Sequence, residues 1–531
     1  MNRIKIDPER ILSDIDRNIF GGYMELGYQD TRFEYLDIGD SPGADKSALR
    51  SDVRKALEQM NFPNIRFPGG NFASGYRWMD GVGPRQERPG RHDLAWRCTI
   101  PNQYGTNEFI NLCRALNVEP YLCVNCGDGD MREAADWVEY CNGTGDTALA
   151  NLRRQHGFEK PHKVKYWGIG NEVDSAGQIG YKTPQEYARA LTEYSKVMKR
   201  TDAEIKLIAS AACSWEDFPL GPQFLYRKTE WVERAQLMLE QAGDRIDYMS
   251  LHKYAHPYTD DSFETLMAFA ASYEEHLSAY EGLIRAVSLE RGIRHAVNIA
   301  VDEWGIIRMP AESRSDTPID VTVDASGTAH LPTAEKERLH PRRRTIIGLD
   351  DALLTALHLN TFIRHAYSVR LANYTSMPTP ACLSFPNPES RVLLQSVYYP
   401  FELYSRTCGQ QALDIFWYGD TFSGTYKDRA YTGIRTLDVS ATLDEAKKQL
   451  VVNVVNQSRD KAMETTISLD SGVFAGNAKV SVVNGPDIKA ENTEEKPDQV
   501  GTHETTLKTS GKSFTTAFEP HSVTVLECAI S

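Results

Sequence analysis

Up to about residue 380, apolar residues recur in two alternating textures. Short runs of branched and aromatic residues read as strands: Ile19–Glu25, Asn64–Phe67, Glu119–Asn125, Val164–Gly170, Ile205–Ser210, Ile246–Leu251, Val297–Glu303 and Val369–Tyr374. Between them lie longer stretches with apolar positions three and four apart. Thr183–Arg200 is one, with Pro184 placed for a first helical turn, and Asp350–His365 is another. Eight strands separated by helix-compatible sequence predict repeated βα units of the α/β class. Closing them into a (β/α)8 TIM barrel leaves no sheet edge exposed. A doubly wound open sheet is the alternative with the same alternation.

Past about residue 385 the helical spacing disappears. Segments such as QLVVNVVNQS, AKVSVVNG and SFTTAFEPHSVTVLECAI are rich in Val and Thr and punctuated by Asn, Gly, Pro and Ser. They predict an all-β sandwich. The opening RIKIDPERILSDID reads strand–turn–strand and would lend strands to it. Two domains are therefore expected: a barrel over 18–385, and a sandwich over 1–17 and 386–531. The polar stretch Lys489–Gly501 reads as a solvated hairpin loop. Pro310–Arg344, polar and placed after the seventh strand, reads as an insertion on the face where a barrel keeps its active site.

Composition narrows the function classes. The 531 residues are 41% apolar, 25% charged and 10% aromatic, which rules out disorder, a coiled coil or a disulfide mini-scaffold. With 59 basic against 73 acidic residues the net charge is −14, which weighs against nucleic acid or an anionic membrane as partner. No run of about 18 apolar residues is present, and MNRIKIDPERILSDID lacks the apolar core of a signal peptide. Nine scattered cysteines fit a reducing compartment, and a cytoplasmic location is expected. Cys123 and Cys126 lie on a strand-like run, where residues three apart face opposite ways and make a poor metal clip.

A barrel places its chemistry at the C-terminal ends of its strands. Glu25 follows the first strand here; Arg66 and then Pro68-Gly69-Gly70-Asn71 follow the second. Asn171 and Glu172 follow the fourth, His252 and Tyr254 the sixth, and Glu303-Trp304 ends the seventh. Glu172 and Glu303, on different strands, suit glycoside hydrolysis, where one carboxyl protonates the leaving oxygen and the other attacks the anomeric carbon. A narrow barrel mouth would hold them about 5–5.5 Å apart, the spacing of retaining enzymes. The acid then needs a pKa raised by burial and by its neighbour. Tyr254 is placed to donate to Glu303 and keep that nucleophile ionised. Each residue also has a plainer reading: Arg66 a buried ion-pair partner, Gly69-Gly70 a tight turn, His252 a core histidine, and Trp78, Trp96, Trp167 and Trp304 core aromatics. Strand 1 offers no His-x-His, so a metal-dependent barrel hydrolase would lack its ligands. No cofactor or metal is expected.

The strings NIRFPGGNFASGYRW (64–78), KYWGIGNEVD (165–174), IDYMSLHKY (246–254) and VDEWGI (301–306) resemble glycoside hydrolase family 51. FGGYMELG (20–27), DALLTALHLNTFIRHA (351–366) and QSVYYPFELYS (395–405) are similar to the same family, in the family's order across nearly the whole chain. The resemblance implies a retaining, exo-acting α-L-arabinofuranosidase with a barrel and a sandwich completed by N-terminal strands. It also implies a carbohydrate substrate and a homo-oligomer, a trimer or a hexamer. Glu172 then matches the general acid/base and Glu303 the nucleophile. Asn171 matches the amide that binds the sugar 2-hydroxyl, and Tyr254 the nucleophile's partner. Glu25, Arg66 and Asn71 match residues of the terminal-sugar pocket, with Trp96 as an aromatic wall.

Two departures touch the sugar rather than the carboxylates. Ala372-Asn373-Tyr374-Thr375-Ser376 places Ser376 where the family has a longer Gln, and Ile100 stands where an acidic residue is usual. The alternatives left open are the same mechanism on a β-D-galactofuranoside, β-D-xyloside or β-glucan, and a non-catalytic carbohydrate-binding homologue.

Overall fold

A computed structural model describes residues 2–26, 51–96, 98–212, 231–255, 262–306, 322–323, 329–330, 347–375, 383–384, 392–426 and 429–531. Ser376 and the stretch Pro310–Arg344, apart from four residues of two short strands, lie outside them.

Eight parallel strands close into a barrel, which removes the open-sheet alternative. In chain order they are Gly21–Tyr23, Asn64–Phe67, Glu119–Val124, Tyr166–Ile169, Lys206–Ala212, Tyr248–Ala255, Asn298–Ile306 and Val369–Tyr374, called barrel strands 1 to 8 below. Each predicted run contains its strand or overlaps it. Strand 1, three residues long, passes through a crowded interior. A Cβ on Gly21 would lie 2.6 Å from Ala372 O, Asn373 Nδ2 and Asn64 Oδ1, so only glycine fits there. Tyr121, Tyr166, Ile208, Tyr248, Ala300 and Leu371 form a buried cluster contributed by strands 3 to 8, so the barrel is packed rather than hollow.

The predicted helices form for the reasons their sequences give. Helix Pro184–Thr201 begins with Pro184 in its first turn, and its cap is reciprocal. Glu186 N donates to Thr183 Oγ1 at 3.3 Å, and Thr183 N donates to Glu186 Oε2 at 2.8 Å. Helix Leu349–Arg364 is buried on nearly every side, which explains its apolar run, because it lies between the barrel and the β domain. Its Asn360 Nδ2 donates to Asp438 Oδ1 at 2.7 Å, and Ser440 Oγ donates to Asn360 Oδ1 at 2.6 Å. None of the helices among the described residues is long and apolar enough to cross a membrane.

The β domain is one nine-stranded sheet. The chain's opening strand, Asn2–Asp14, sits inside it, antiparallel to Gln411–Tyr418 and parallel to Met463–Leu469. Strands Gly501–Gly511 and Ser513–Phe518 occupy opposite edges of the sheet but are joined through Lys512 alone. The sheet must therefore curl over on itself, enclosing Ile4, Ile6, Val439, Val452, Ile467 and Leu526. The segment Lys489–Gly501 links two paired strands as a hairpin loop, as expected, and Lys489 and Glu494–Asp498 are exposed, but its two ends are docked on protein. Ala490, Asn492 and Val500 are buried. Leu349 N donates to Ala490 O at 2.9 Å, and Lys489 Nζ donates to Asp350 Oδ2 at 2.7 Å. The segment covers the N-terminus of the central helix, and its polar groups are used in doing so.

A charged seam holds the two parts together. Arg364 pairs with Glu274 at 2.6 Å and with Asp438 of the sheet at 3.1 Å, while His365 bridges Glu274 and Glu281 at 2.9 Å each. Burial alone would strip the proton from His365, but bonds to Glu274 and Glu281 push its pKa up to about 9. A raised histidine pKa gives stability that is complete below about pH 6.5 and lost as pH rises through about 9, on the order of 3 kcal/mol. Thermal unfolding between pH 6 and pH 10 should show the wild type losing this increment. His365→Gln should start less stable and have a flatter profile.

Candidate active site

The polar strand ends meet at one mouth of the barrel. Arg66, fully buried at the end of strand 2, is the organising cation. Its Nη1 donates to Glu303 Oε1 at 2.6 Å and to Asp302 O at 3.2 Å, and its Nη2 donates to Asn171 Oδ1 at 2.7 Å. The guanidinium lies over the rings of Tyr23 and Tyr121, 5.2 and 5.7 Å from their centroids. The ion-pair reading of Arg66 and its reading as a site residue are thus the same fact: its partner is the site glutamate. Asn171 accepts from Arg66 through its oxygen, while its buried Nδ2 has no acceptor among the described residues. That leaves a donor for a ligand oxygen.

Glu172 follows strand 4 in a left-handed conformation, φ +43°, just after Gly170 at φ +80°. A non-glycine residue holds that conformation only where its surroundings impose it, and here the turn puts consecutive residues into the mouth. Glu172 Oε1 lies 3.0 Å from His252 Nδ1, and Oε2 accepts from Gln178 Nε2 at 3.0 Å. Burial raises the pKa of Glu172, and Glu303 adds to the rise against the bond from His252. Glu303 Oε2 accepts from Tyr254 OH at 2.6 Å. Carboxylate oxygens of Glu172 and Glu303 and a ring nitrogen of His252 all lie within 4.8 Å of one another.

Glu25 closes the other side. Its Oε1 accepts from Gly70 N at 3.2 Å, Phe72 N at 3.1 Å and Trp96 Nε1 at 3.1 Å, and its Oε2 accepts from Tyr23 OH at 3.1 Å. Burial, with Glu303 nearby, raises its pKa to about 7. Asn71 lies on the same turn and accepts from Gln178. Trp96 is half-buried in the loop of a short hairpin that pairs Arg91–His92 with Thr99–Ile100; its N–H donates to Asp93 Oδ2 at 2.5 Å, and Ile100 is buried. Of the nine residues singled out, eight surround this mouth, and Ser376 lies outside the described residues. Its neighbour Thr375 lies 2.6 Å from Tyr254 OH. Trp78, Trp167 and Trp304 are core aromatics.

Sequence reasoning missed four participants. His252, read as a core histidine, is buried but stands between the site carboxylates, with its Nε2 3.2 Å from Asp302 Oδ1. Glu303 and Asp302 push its pKa up to about 10 against the effect of burial. Asp302 was hidden by strand alternation, which sends neighbours to opposite faces. A register shift between Ala300 and Glu303 breaks that alternation, so both carboxylates reach Arg66. Gln178 and Tyr23 carry no pattern that marks them. The raised pKa favours the doubly protonated imidazole, which would donate from both nitrogens toward these carboxylates.

Gly70 makes the crowding testable. An added Cβ would lie 2.6 Å from both Glu303 Oε1 and Tyr23 OH. Gly70→Ala should lower kcat on the order of 100-fold by displacing Glu303. Far-ultraviolet circular dichroism should stay unchanged.

Comparisons with known proteins meet this geometry from outside. The α-L-arabinofuranosidase 1 domain profile matches residues 56–277, and the α-L-arabinofuranosidase C-terminal domain profile matches residues 302–522. The intracellular exo-α-(1→5)-L-arabinofuranosidase 1 of Bacillus subtilis is 30% identical over 99% of this chain and 98% of its own. The chain belongs to glycoside hydrolase family 51. A probable α-L-arabinofuranosidase C of Aspergillus clavatus is 33% identical, covering 98% of this chain and 96% of its own. The family 51 likeness extends to crystal structures. That of the Thermotoga maritima α-L-arabinofuranosidase, an arabinose complex, has a TM-score of 0.83 at 30% identity and 99% coverage of both chains. As a family 51 member this protein is a glycoside hydrolase on a (β/α)8 barrel.

Proposed function

We propose that the chain is a retaining, exo-acting hydrolase that releases terminal α-L-arabinofuranosyl residues by double displacement. The observation that carries this reading is the pair Glu172 and Glu303, with carboxylate oxygens within 4.8 Å, close to the roughly 5–5.5 Å of retaining enzymes and short of the inverting spacing. Glu303, held by Arg66 and Tyr254, attacks the anomeric carbon. Glu172, whose pKa burial raises, gives its proton to the leaving oxygen, then takes one from the water that releases the sugar. Asn171 offers its free amide N–H to a sugar hydroxyl. Glu25, Arg66, Asn71 and Trp96 line the terminal-sugar pocket, with Ser376 at its edge. The sugar assignment follows from the relatives' names and the motif order.

We place the catalytic barrel at 18–385 and the sandwich at 1–17 and 386–531. The location is proposed as cytoplasmic and the assembly as a trimer or hexamer, which light scattering tests. A panel of 4-nitrophenyl glycosides tests the substrate. Turnover of the α-L-arabinofuranoside well above the β-D-galactofuranoside, β-D-xyloside and β-D-glucoside is expected. Silence on the first with turnover of another would replace the sugar, and silence on all would favour a binding homologue.

A further inference from the structure

His252 lies where charge has to move. It stands on strand 6 in register with Glu303 of strand 7. Its Nδ1 is 3.0 Å from Glu172 Oε1 and 3.6 Å from Glu303 Oε2. Its Nε2 is 3.2 Å from Asp302 Oδ1. Asp302 is itself held by Tyr121 OH at 2.7 Å and by Arg66 Nε at 3.7 Å. Burial works against its charge, but Arg66 and His252 keep its carboxyl below the ordinary range. The charged groups around the imidazole are therefore Glu172 from strand 4, Asp302 and Glu303 from strand 7, and Arg66 from strand 2.

We propose that His252 is a cationic positioning residue whose Nδ1–H bond follows the negative charge between Glu303 and Glu172, with the Asp302 carboxylate, 3.2 Å from Nε2 as an ion-pair contact without a formed hydrogen bond, balancing the ring's charge. The inference rests on the double-displacement reading. Before reaction Glu172 is protonated, Glu303 and Asp302 are ionised, and Arg66 and His252 balance them. In the first step the Glu303–anomeric carbon bond forms, the bond to the leaving oxygen breaks, and the Glu172 proton goes to that oxygen. Glu303 is now a neutral ester and Glu172 a carboxylate, so the buried charges still balance, and only the place of one has changed. Water then attacks the anomeric carbon and gives a proton to Glu172, and the bond to Glu303 breaks, which restores the start. A neutral imidazole would leave an excess buried negative charge in both states, at a cost that low dielectric magnifies. Nδ1 already lies between the two acceptors, so pivoting about the Asp302 contact suffices.

The proposal assigns Asp302 an effect on the second step. In Asp302→Asn the imidazole loses its counter-charge and its proton. Glu172 loses its cationic neighbour, its pKa rises further, and it serves poorly as the base. Expected on a 4-nitrophenyl glycoside at pH 7 is a kcat loss on the order of 100-fold. KM should fall with it, a nitrophenol burst should appear, and azide, which needs no base, should restore turnover. Asp302→Glu should recover part of the activity. Azide-insensitive loss with KM unchanged or raised would overturn the proposal. A second arm needs no variant and no turnover. Nitrogen NMR of ¹⁵N-histidine-labelled wild type should show His252 doubly protonated at pH 8, and a neutral ring there would overturn the proposal by itself. Failure of the wild type to form any glycosyl intermediate would count instead against the double-displacement reading.

Discussion

Replacing Glu303 with alanine is expected to lower turnover by about 100,000-fold, the scale seen when an enzyme loses its nucleophile. The protein should stay folded, because the deletion removes a carboxylate and leaves Arg66 with Asn171 and Asp302 as partners at 2.7 and 3.7 Å. The vacated space lies against the anomeric carbon, so added azide should restore turnover from that face. The product should be the β-L-arabinofuranosyl azide, inverted relative to the substrate. Chromatography and proton NMR of the azide adduct check this. Wild-type turnover by the variant, or an azide product of retained configuration, would remove Glu303 from the role.

Glu172→Ala should behave differently, and the difference identifies the two carboxylates. General acid catalysis contributes roughly 100- to 10,000-fold, and its loss matters most for leaving groups that cannot depart without a proton. Natural-type oligosaccharides should suffer the full loss. A 2,4-dinitrophenyl glycoside should retain its first step and stall at the second, giving a burst with a low KM. Azide should relieve the stall and give the α-azide of retained configuration. Pre-steady-state absorbance separates the two steps. An equal loss across leaving groups of different acidity would argue that Glu172 supports the site without transferring protons.

Legibility differed between fold and site. The eight barrel strands were readable because each predicted run is rich in branched or aromatic residues, as strands buried on both faces tend to be. Helix Leu349–Arg364 was readable because its sides all face protein. Lys489–Gly501 was legible as an exposed loop at its tip, but not in the docking of its ends, because a polar segment that caps a helix looks the same in sequence as one that faces water. In the site, residues at the strand ends could be found from barrel geometry alone. Asp302 could not, because a register shift brings it beside Glu303 on the same side. His252 was visible as a residue but not as a group of raised pKa, since that rise comes from carboxylates distant in sequence. Gln178 touches Glu172 and Asn71 from an irregular loop, where periodicity carries no information.

Double displacement across Glu172 and Glu303 is tested most directly by proton NMR of the first product formed in the presence of methanol, before mutarotation begins. Transfer to methanol with retention, giving methyl α-L-arabinofuranoside from an α-L-arabinofuranosyl donor, is the predicted result. The β-anomer as first product would contradict a glycosyl-Glu303 intermediate.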